Sequence, residues 1–259
     1  MTWLDTVNAI EDLPTGQLEP GRFIWLHGLK QARTPGVFYA KETEFSAAPV
    51  GGWSLDNRFD NERGYSAPAL RIAIIGTRTQ WFIPGLEGKA PTYLPRYESG
   101  AKKHLEVLCM IDGLDDPMVF SASGMNKAKP MQDIIKIYND GLLKQASRIA
   151  RRALPPWSFW LPIRNRELSG KTEYIEAKDA SGKSYGSVVT PPALYLPDDA
   201  METLFVGADI IRRGAEVREV FASWFETRRR TPDVIEGEVL PALPAPKNAP
   251  QPVGEDELF

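Results

Sequence analysis

The sequence has few of the residues from which disulfides, metal sites and histidine-based catalytic centres are built. Its 259 residues include one cysteine and two histidines. A single cysteine, Cys109, excludes a disulfide scaffold, and its place in the apolar run 105–111 is typical of a small buried hydrophobe. One cysteine and two distant histidines make no recognisable structural zinc site. Neither His27 nor His104 has a candidate nucleophile beside it in the sequence, so we expect both in the core or on the surface.

Long apolar runs, export signals and phosphate-binding loops are also missing. No uninterrupted apolar stretch approaches the roughly 18 residues of a membrane helix, and the first residues lack the basic start and apolar centre of a signal peptide. We therefore expect a cytoplasmic protein that does not enter a membrane. Neither a Gly-x-x-x-x-Gly-Lys-Ser/Thr loop nor a Gly-x-Gly-x-x-Gly turn occurs, so we expect no cofactor and no enzyme activity.

The net charge of −3 hides an uneven distribution. The segment Thr231–Phe259 contains six acids and one base and carries −5, which leaves +2 on residues 1–230. An almost neutral body argues against a strongly basic duplex binder, and it remains compatible with a local positive groove.

Composition also predicts the domain boundary, near Arg230. Residues 231–259 contain six prolines and no helix or strand period. Such a segment buries too little apolar surface to offset its ordering entropy, so we expect a disordered Pro-rich linker and acidic tip over 231–259. Residues 1–230 are expected to form one domain.

Apolar periodicity predicts an α+β fold for that domain. Helices are expected over Gly207–Arg230 and over Met131–Leu154, the second beginning after Pro130 and interrupted by Gly141. Hairpins are predicted from 70–76 with 79–83, from 103–111 with 118–123 and from 171–176 with 185–189, and further apolar strands at 22–27 and 157–163. Many short strands with two long helices indicate an OB-like small β-barrel or a curved antiparallel sheet.

Aromatic residues interleaved with basic residues indicate a surface for single-stranded nucleic acid. Bases stack on aromatic rings while Lys and Arg follow the phosphates, and this tolerates any base sequence. Aromatics at alternating strand positions are more often part of a core than a stacking platform, so each ring also has a core interpretation. The candidate nucleic-acid-binding residues are Trp53, Arg78, Trp81, Tyr93, Arg96, Tyr97, Lys102, Lys103, Trp157, Trp160, Arg164 and Arg166.

The last residues are the most specific pattern in the sequence. Three consecutive acids precede Leu258 and Phe259, after the Pro-rich spacer. A ring and carboxylates on a tether suit capture by a partner with an apolar pocket and a basic rim. The candidate partner-binding residues are Glu255, Asp256, Glu257, Leu258 and Phe259.

This tip resembles that of bacterial and bacteriophage single-stranded DNA-binding proteins, which have an OB-type domain, a disordered linker and an acidic tip ending in Phe. The match covers Glu255–Phe259 and, loosely, the linker. The tip departs from the Ile-Pro-Phe-like ending of the common bacterial form, and the body is longer than the usual domain, which points to a divergent member. The resemblance implies non-catalytic binding of single-stranded DNA with low sequence specificity, and recruitment of replication, recombination and repair proteins through the tip. The sequence is also compatible with a homo-oligomer.

Two alternatives remain open from the residues. Sliding-clamp-binding peptides resemble Gln-Leu-Ser/Asp-Leu-Phe, and Leu258 and Phe259 match their hydrophobic pair although the leading Gln is absent. A Mg²⁺-dependent nuclease motif contains Glu-x-Lys, which Glu176 and Lys178 match. That motif needs an upstream acid to share the metal, and the candidates for it are Asp112, Asp115 and Asp116.

Overall fold

The structure is a computed structural model that describes residues 20–226, apart from 60–61, 85–91, 95, 125 and 179–182, and apart from the side chains of residues 58, 185–187 and 226. The linker and tip expected over 231–259 therefore lie outside the described residues, as do the last four residues of the helix expected to end at Arg230.

A ten-stranded sheet is the central element of the described residues. It follows the order β14-β9-β5-β7-β8-β1-β2-β4-β3, and β6 pairs with one end of β5. Two small hairpins, β10–β11 and β12–β13, lie outside it. The strands are β1 Gly21–Leu26, β2 Val37–Lys41, β3 Ser54–Phe59, β4 Glu62–Ala67, β5 Ala69–Ile83, β6 Thr92–Leu94, β7 Lys102–Ile111, β8 Met118–Ser123, β9 Leu161–Asn165, β10 Glu167–Leu168, β11 Lys171–Thr172, β12 Ile175–Lys178, β13 Ser184–Val189 and β14 Pro192–Leu194.

The sheet is strongly curled into a half-barrel, so the expected α+β class with a curved sheet is confirmed. The expectation of a wholly antiparallel sheet is wrong in one place, because β1 and β8 run parallel, with Phe23 beside Phe120. All the other pairs in the sheet are antiparallel. A parallel neighbour requires a crossover connection, which a simple meander lacks.

Strand β5 corrects the predicted hairpin of residues 70–83. It is one continuous strand of 15 residues, Ala69–Ile83, and Gly76-Thr77-Arg78 is not a turn. A bulge between Ile74 and Gly76 shifts its register against β7, and a bulge moves the following side chains to the opposite face. Gly76 is needed for packing instead, because a Cβ there would lie 2.2 Å from Cε1 of Phe225.

The two long helices occur near their predicted positions. Helix α1 covers Ala128–Tyr138, a π-helical turn covers Asn139–Leu143, and α2 covers Lys144–Ile149. The π turn contains Gly141, the residue expected to interrupt this helix. The second long helix is α4, Gly207–Val220, preceded by the short α3, Ala200–Thr203, and followed by α5, Ala222–Glu226.

Each face of the sheet has its own core. The larger core packs α1 and Tyr138 against β1, β2, β7 and β8 and includes Trp25, Phe38 and Phe120. The smaller core packs α4 and α5 against the other face, where Leu108 and others meet the helices. We call these the α1 face and the α4 face. Beyond both cores, the last residues of β5 pair with β6 on one side and with the first residues of β7 on the other.

Candidate nucleic-acid interface

Strands β6, β5 and β7 lie side by side beyond the end of β8. From here on we call this end of the sheet the tip, as distinct from the acidic C-terminal peptide. It comprises residues 81–83, 92–94, 96–97 and 102–103. In the register of β5 with β6, Phe82 lies opposite Tyr93. In the register with β7, Trp81 lies opposite Lys103 and Phe82 opposite Lys102. Strand β8 pairs with β7 only as far as His104, so it does not reach the tip. Alternating side chains therefore place rings on both faces of a three-stranded ribbon.

On the α1 face, the tip carries Trp81 and Tyr97. Their ring centroids are 4.9 Å apart and the rings meet edge to face. Tyr97 is 61% exposed, and Trp81 is only half-buried. Lys103 stands directly opposite Trp81 on the same face. The arrangement is an open aromatic pair with a cation beside it.

On the α4 face, the tip carries Phe82 and Tyr93. Their centroids are 6.1 Å apart, and the ring of His104 contacts both edge-on at 5.9 and 6.2 Å. Both aromatic rings are half-buried, and the exposed Lys102 projects from the same face as Phe82. Burial raises the pKa of Tyr93, and the charge of Glu106 raises it further.

The tip carries three cations, Arg96, Lys102 and Lys103. Among the described residues, no carboxylate lies within 4.0 Å of Arg96, Lys102 or Lys103. Arg96 and Lys102 are exposed, and Lys103 is half-buried. Cations without a carboxylate partner are available to an anionic ligand.

A buried ion cluster supports the tip from beneath its α4 face. The Glu106 carboxylate is 0% exposed and accepts hydrogen bonds from Arg78 and, at 2.6 Å, from Arg22. Burial raises the pKa of Glu106, but the hydrogen bonds from His104 and Arg78 and the charges of Arg78 and Arg22 outweigh it and hold the pKa below its usual value. The Nδ1 of His104 is also 2.7 Å from Oγ of Ser123. This cluster links β1, β5 and β7 below the tip through the Glu106 carboxylate.

Arg78 belongs to that cluster and not to an open groove. Its side chain is 12% exposed. Its guanidinium carbon lies 4.1 Å from the ring centroid of Trp224, and it donates to the Trp224 carbonyl at 2.7 Å. Arg78 therefore anchors α5 to β5, a structural role that the sequence pattern did not predict.

Three of the predicted stacking rings lie in the core, which corrects their assignment to the interface. Trp53 is 8% exposed and packs edge-on against Phe23 and Phe45. Trp157 and Trp160 are 5% and 8% exposed within the core of the α4 face. Rings this deeply buried offer no surface on which a base could stack.

Arg164 and Arg166 are exposed but lie at the far end of the sheet, on β9 and after it. Arg166 pairs with Glu173. The predicted set is thus divided, and Trp81, Tyr93, Arg96, Tyr97, Lys102 and Lys103 come together at the tip. Phe82, which follows Trp81 in the same aromatic and basic pattern, joins them there although it was not among the candidate residues.

The positions of the acidic residues do not support the nuclease alternative. Glu176 lies in the β12–β13 hairpin, whereas the three aspartates follow β7. Within the described part of the chain, no three His, Cys, Asp or Glu side chains are grouped so as to hold a metal ion. None of the described helices has both the length and the apolar character to cross a membrane.

Comparison with known proteins finds no matching family model, no similar curated protein and no similar solved structure. A proposal of function therefore depends on the chain's own residues.

Proposed function

We propose that this protein binds single-stranded DNA at the tip, without chemistry and with little sequence preference, and that residues 255–259 recruit replication, recombination or repair proteins. The observation that carries the proposal is the grouping of open rings and unpaired cations on one ribbon. Trp81 and Tyr97 lie in contact on one face, and Lys102 and Lys103 project from opposite faces beside the rings.

Stacking and phosphate contacts are the chemistry that such a surface provides. Each base has an aromatic face, so rings accept any of them, and each stacked base contributes about 1–3 kcal/mol. Duplex bases are stacked on one another and present no free face, so the tip favours single strands. A footprint of roughly 4–16 nucleotides per binding domain is typical of proteins that bind in this way.

Tryptophan fluorescence gives a direct test. Of the six tryptophans that the structure describes, Trp81 alone is not buried. We expect oligo-dT to quench the fluorescence of the native protein more than a duplex does, and Trp81→Phe to remove most of that quenching. Trp3, which lies outside the described residues, is controlled by Trp3→Phe, and the buried Trp160→Phe reports on folding. Quenching that survives Trp81→Phe unchanged would contradict the tip as the binding site.

Salt dependence tests the cations independently of the rings. For single strands the slope of log K against log salt is about −0.7 per phosphate contacted, so Arg96, Lys102 and Lys103 together predict a slope of roughly −2. Lys102→Gln and Lys103→Gln should each reduce the slope by about 0.7. Lys129→Gln is the matched control, because Lys129 lies on α1 in an ion pair with Asp133. An equal loss in the control would mean that overall charge, not the tip, drives binding.

The role of the acidic peptide is proposed from its sequence alone. Three acids followed by Leu and Phe suit an apolar pocket with a basic rim on a partner. We expect deletion of residues 251–259 to leave or raise DNA affinity and to abolish partner binding. Lower DNA affinity after deletion would show that the segment contributes to binding or folding instead. Deletion of Phe259, with clamp binding and single-strand binding measured side by side, separates this proposal from the sliding-clamp alternative.

A further inference from the structure

A cavity of about 400 Å³ lies far from the tip, where β5, β9 and β14 meet. Its apolar lining comes from Ala69, Leu70, Pro162 and Ile163. Its polar lining comes from Arg71, Asp112, Arg164 and Tyr195. Pockets of roughly 300–1,000 Å³ with an apolar floor and a few converging polar groups are typical of small-molecule sites.

Arg164 offers a flat stacking surface in this cavity. Its guanidinium carbon lies 4.1 Å from the ring centroid of Tyr195, yet its side chain is 49% exposed. The Tyr195 ring is held in place, because its hydroxyl donates to the Asn165 carbonyl at 2.8 Å and accepts from the Glu167 amide at 2.9 Å. One face of the guanidinium is therefore covered by a fixed ring, and the other can receive a planar ligand.

Arg71 supplies an anion-binding group in the same cavity. Its Nη1 lies 3.1 Å from Oδ2 of Asp112, and 45% of its side chain is exposed. That contact uses part of the five donors of a guanidinium, which match a phosphate well. The pairing also neutralises Asp112, which would otherwise repel an anion.

We propose that this cavity binds one nucleotide unit, with the base stacked on the open face of Arg164 and the phosphate hydrogen-bonded to Arg71. The unit is either a free nucleotide or part of the single strand bound at the tip, and only the second source rests on the proposed function. Because of the bulge in β5, Arg71 and Phe82 project from the same face of the sheet. Eleven residue steps of extended strand separate them, about 35 Å along the strand, which corresponds to roughly ten nucleotides at helical rise.

Calorimetric titration with dAMP and deoxyadenosine tests the two contacts separately. Arg164→Lys keeps the charge but removes the plane, so it should weaken both ligands by about fivefold to a hundredfold. Arg71→Gln should weaken dAMP and leave deoxyadenosine unchanged. Arg166→Lys is the matched control, because Arg166 is exposed two residues away and has a glutamate partner, Glu173, as Arg164 has Glu167. Thermal unfolding of each variant checks that the fold is retained.

Oligo-dT of 5 and 25 nucleotides then identifies the source of the unit. If the cavity holds part of the strand, Arg164→Lys weakens the 25-mer and not the 5-mer, which is too short to span both places. If the cavity holds a free nucleotide, Arg164→Lys lowers the affinity for dAMP and leaves the affinity for both oligomers unchanged. The proposal is overturned if dAMP does not bind, or if Arg164→Lys and Arg166→Lys affect it equally; oligo-dT quenching through Trp81 would still stand in that case. Binding of dAMP without any binding of oligo-dT would instead overturn the proposed function alone.

Discussion

Replacing Glu106 by glutamine keeps the shape of the side chain and removes the charge at the centre of the ion cluster. Glu106 is 0% exposed, and its partners Arg22 and Arg78 are 21% and 12% exposed. Removing one member of a buried ion pair costs roughly 3–5 kcal/mol, because the remaining charge stays buried without compensation. The partial exposure of Arg22 lets water screen part of this cost, so we expect a loss of about 3 kcal/mol in the free energy of unfolding at pH 7. In a domain of this size, that loss lowers Tm by roughly 6–12 °C.

The pH dependence of this loss has a definite sign. The pKa of Glu106 is lowered in the folded protein, so the carboxylate stabilises the fold above its unfolded pKa. That contribution disappears as the pH falls through the lower, folded pKa. The difference between native protein and Glu106→Gln should therefore be fully present at pH 7. It should shrink once the pH falls below the ordinary glutamate pKa of 4.5.

Urea denaturation followed by tryptophan fluorescence from pH 3 to pH 8 measures this difference. Glu98→Gln is the matched control, because Glu98 is exposed and should change stability by less than about 0.5 kcal/mol. A loss below about 1 kcal/mol at pH 7 would refute the stabilising role of the charge. A difference that persists undiminished at pH 3 would refute the assigned pKa direction.

Three further predictions concern packing and reactivity. Gly76→Ala should destabilise the fold by about 1–3 kcal/mol in thermal unfolding, because the new methyl group meets the Phe225 ring and overpacking has this cost. Gly141→Ala should be neutral or stabilising by up to about 1 kcal/mol, since no atom lies within 4 Å of the added carbon; a loss equal to that of Gly76→Ala would count against the packing argument. Cys109 should react with a thiol reagent only after unfolding, because it is fully buried and burial raises the pKa of its thiol, and rapid labelling of the native protein would contradict this.

Local pattern was sufficient for much of the fold. The β7–β8 hairpin follows from two apolar runs around Asp112-Gly113, and Gly113 has the positive φ of 85° that its turn requires. The apolar periodicity of α1 and α4 also placed both helices within a few residues of their observed starts. These features depend on neighbours in sequence, which a sequence displays directly.

Long-range contacts decided the remainder. The continuity of β5 through Gly76 depends on Phe225, about 150 residues away, whose ring occupies the space that a side chain would need. The parallel pairing of β1 with β8 likewise joins distant segments without a local signal. In sequence, a glycine in a turn cannot be distinguished from a glycine that makes room for a packed ring. Composition alone therefore predicted a turn at Gly76, where the strand in fact continues.

The candidate interface shows the same division. The sequence by itself determined that rings and cations alternate over residues 78–103, because their order is the sequence. Only the tertiary structure decided which of them are open: it buried Trp53, Trp157 and Trp160, paired Arg78 with Glu106, and left Trp81 and Tyr97 at the end of the sheet. The physical reason is that exposure is set by what packs against a side chain, and for these residues the packing partners come from distant parts of the chain.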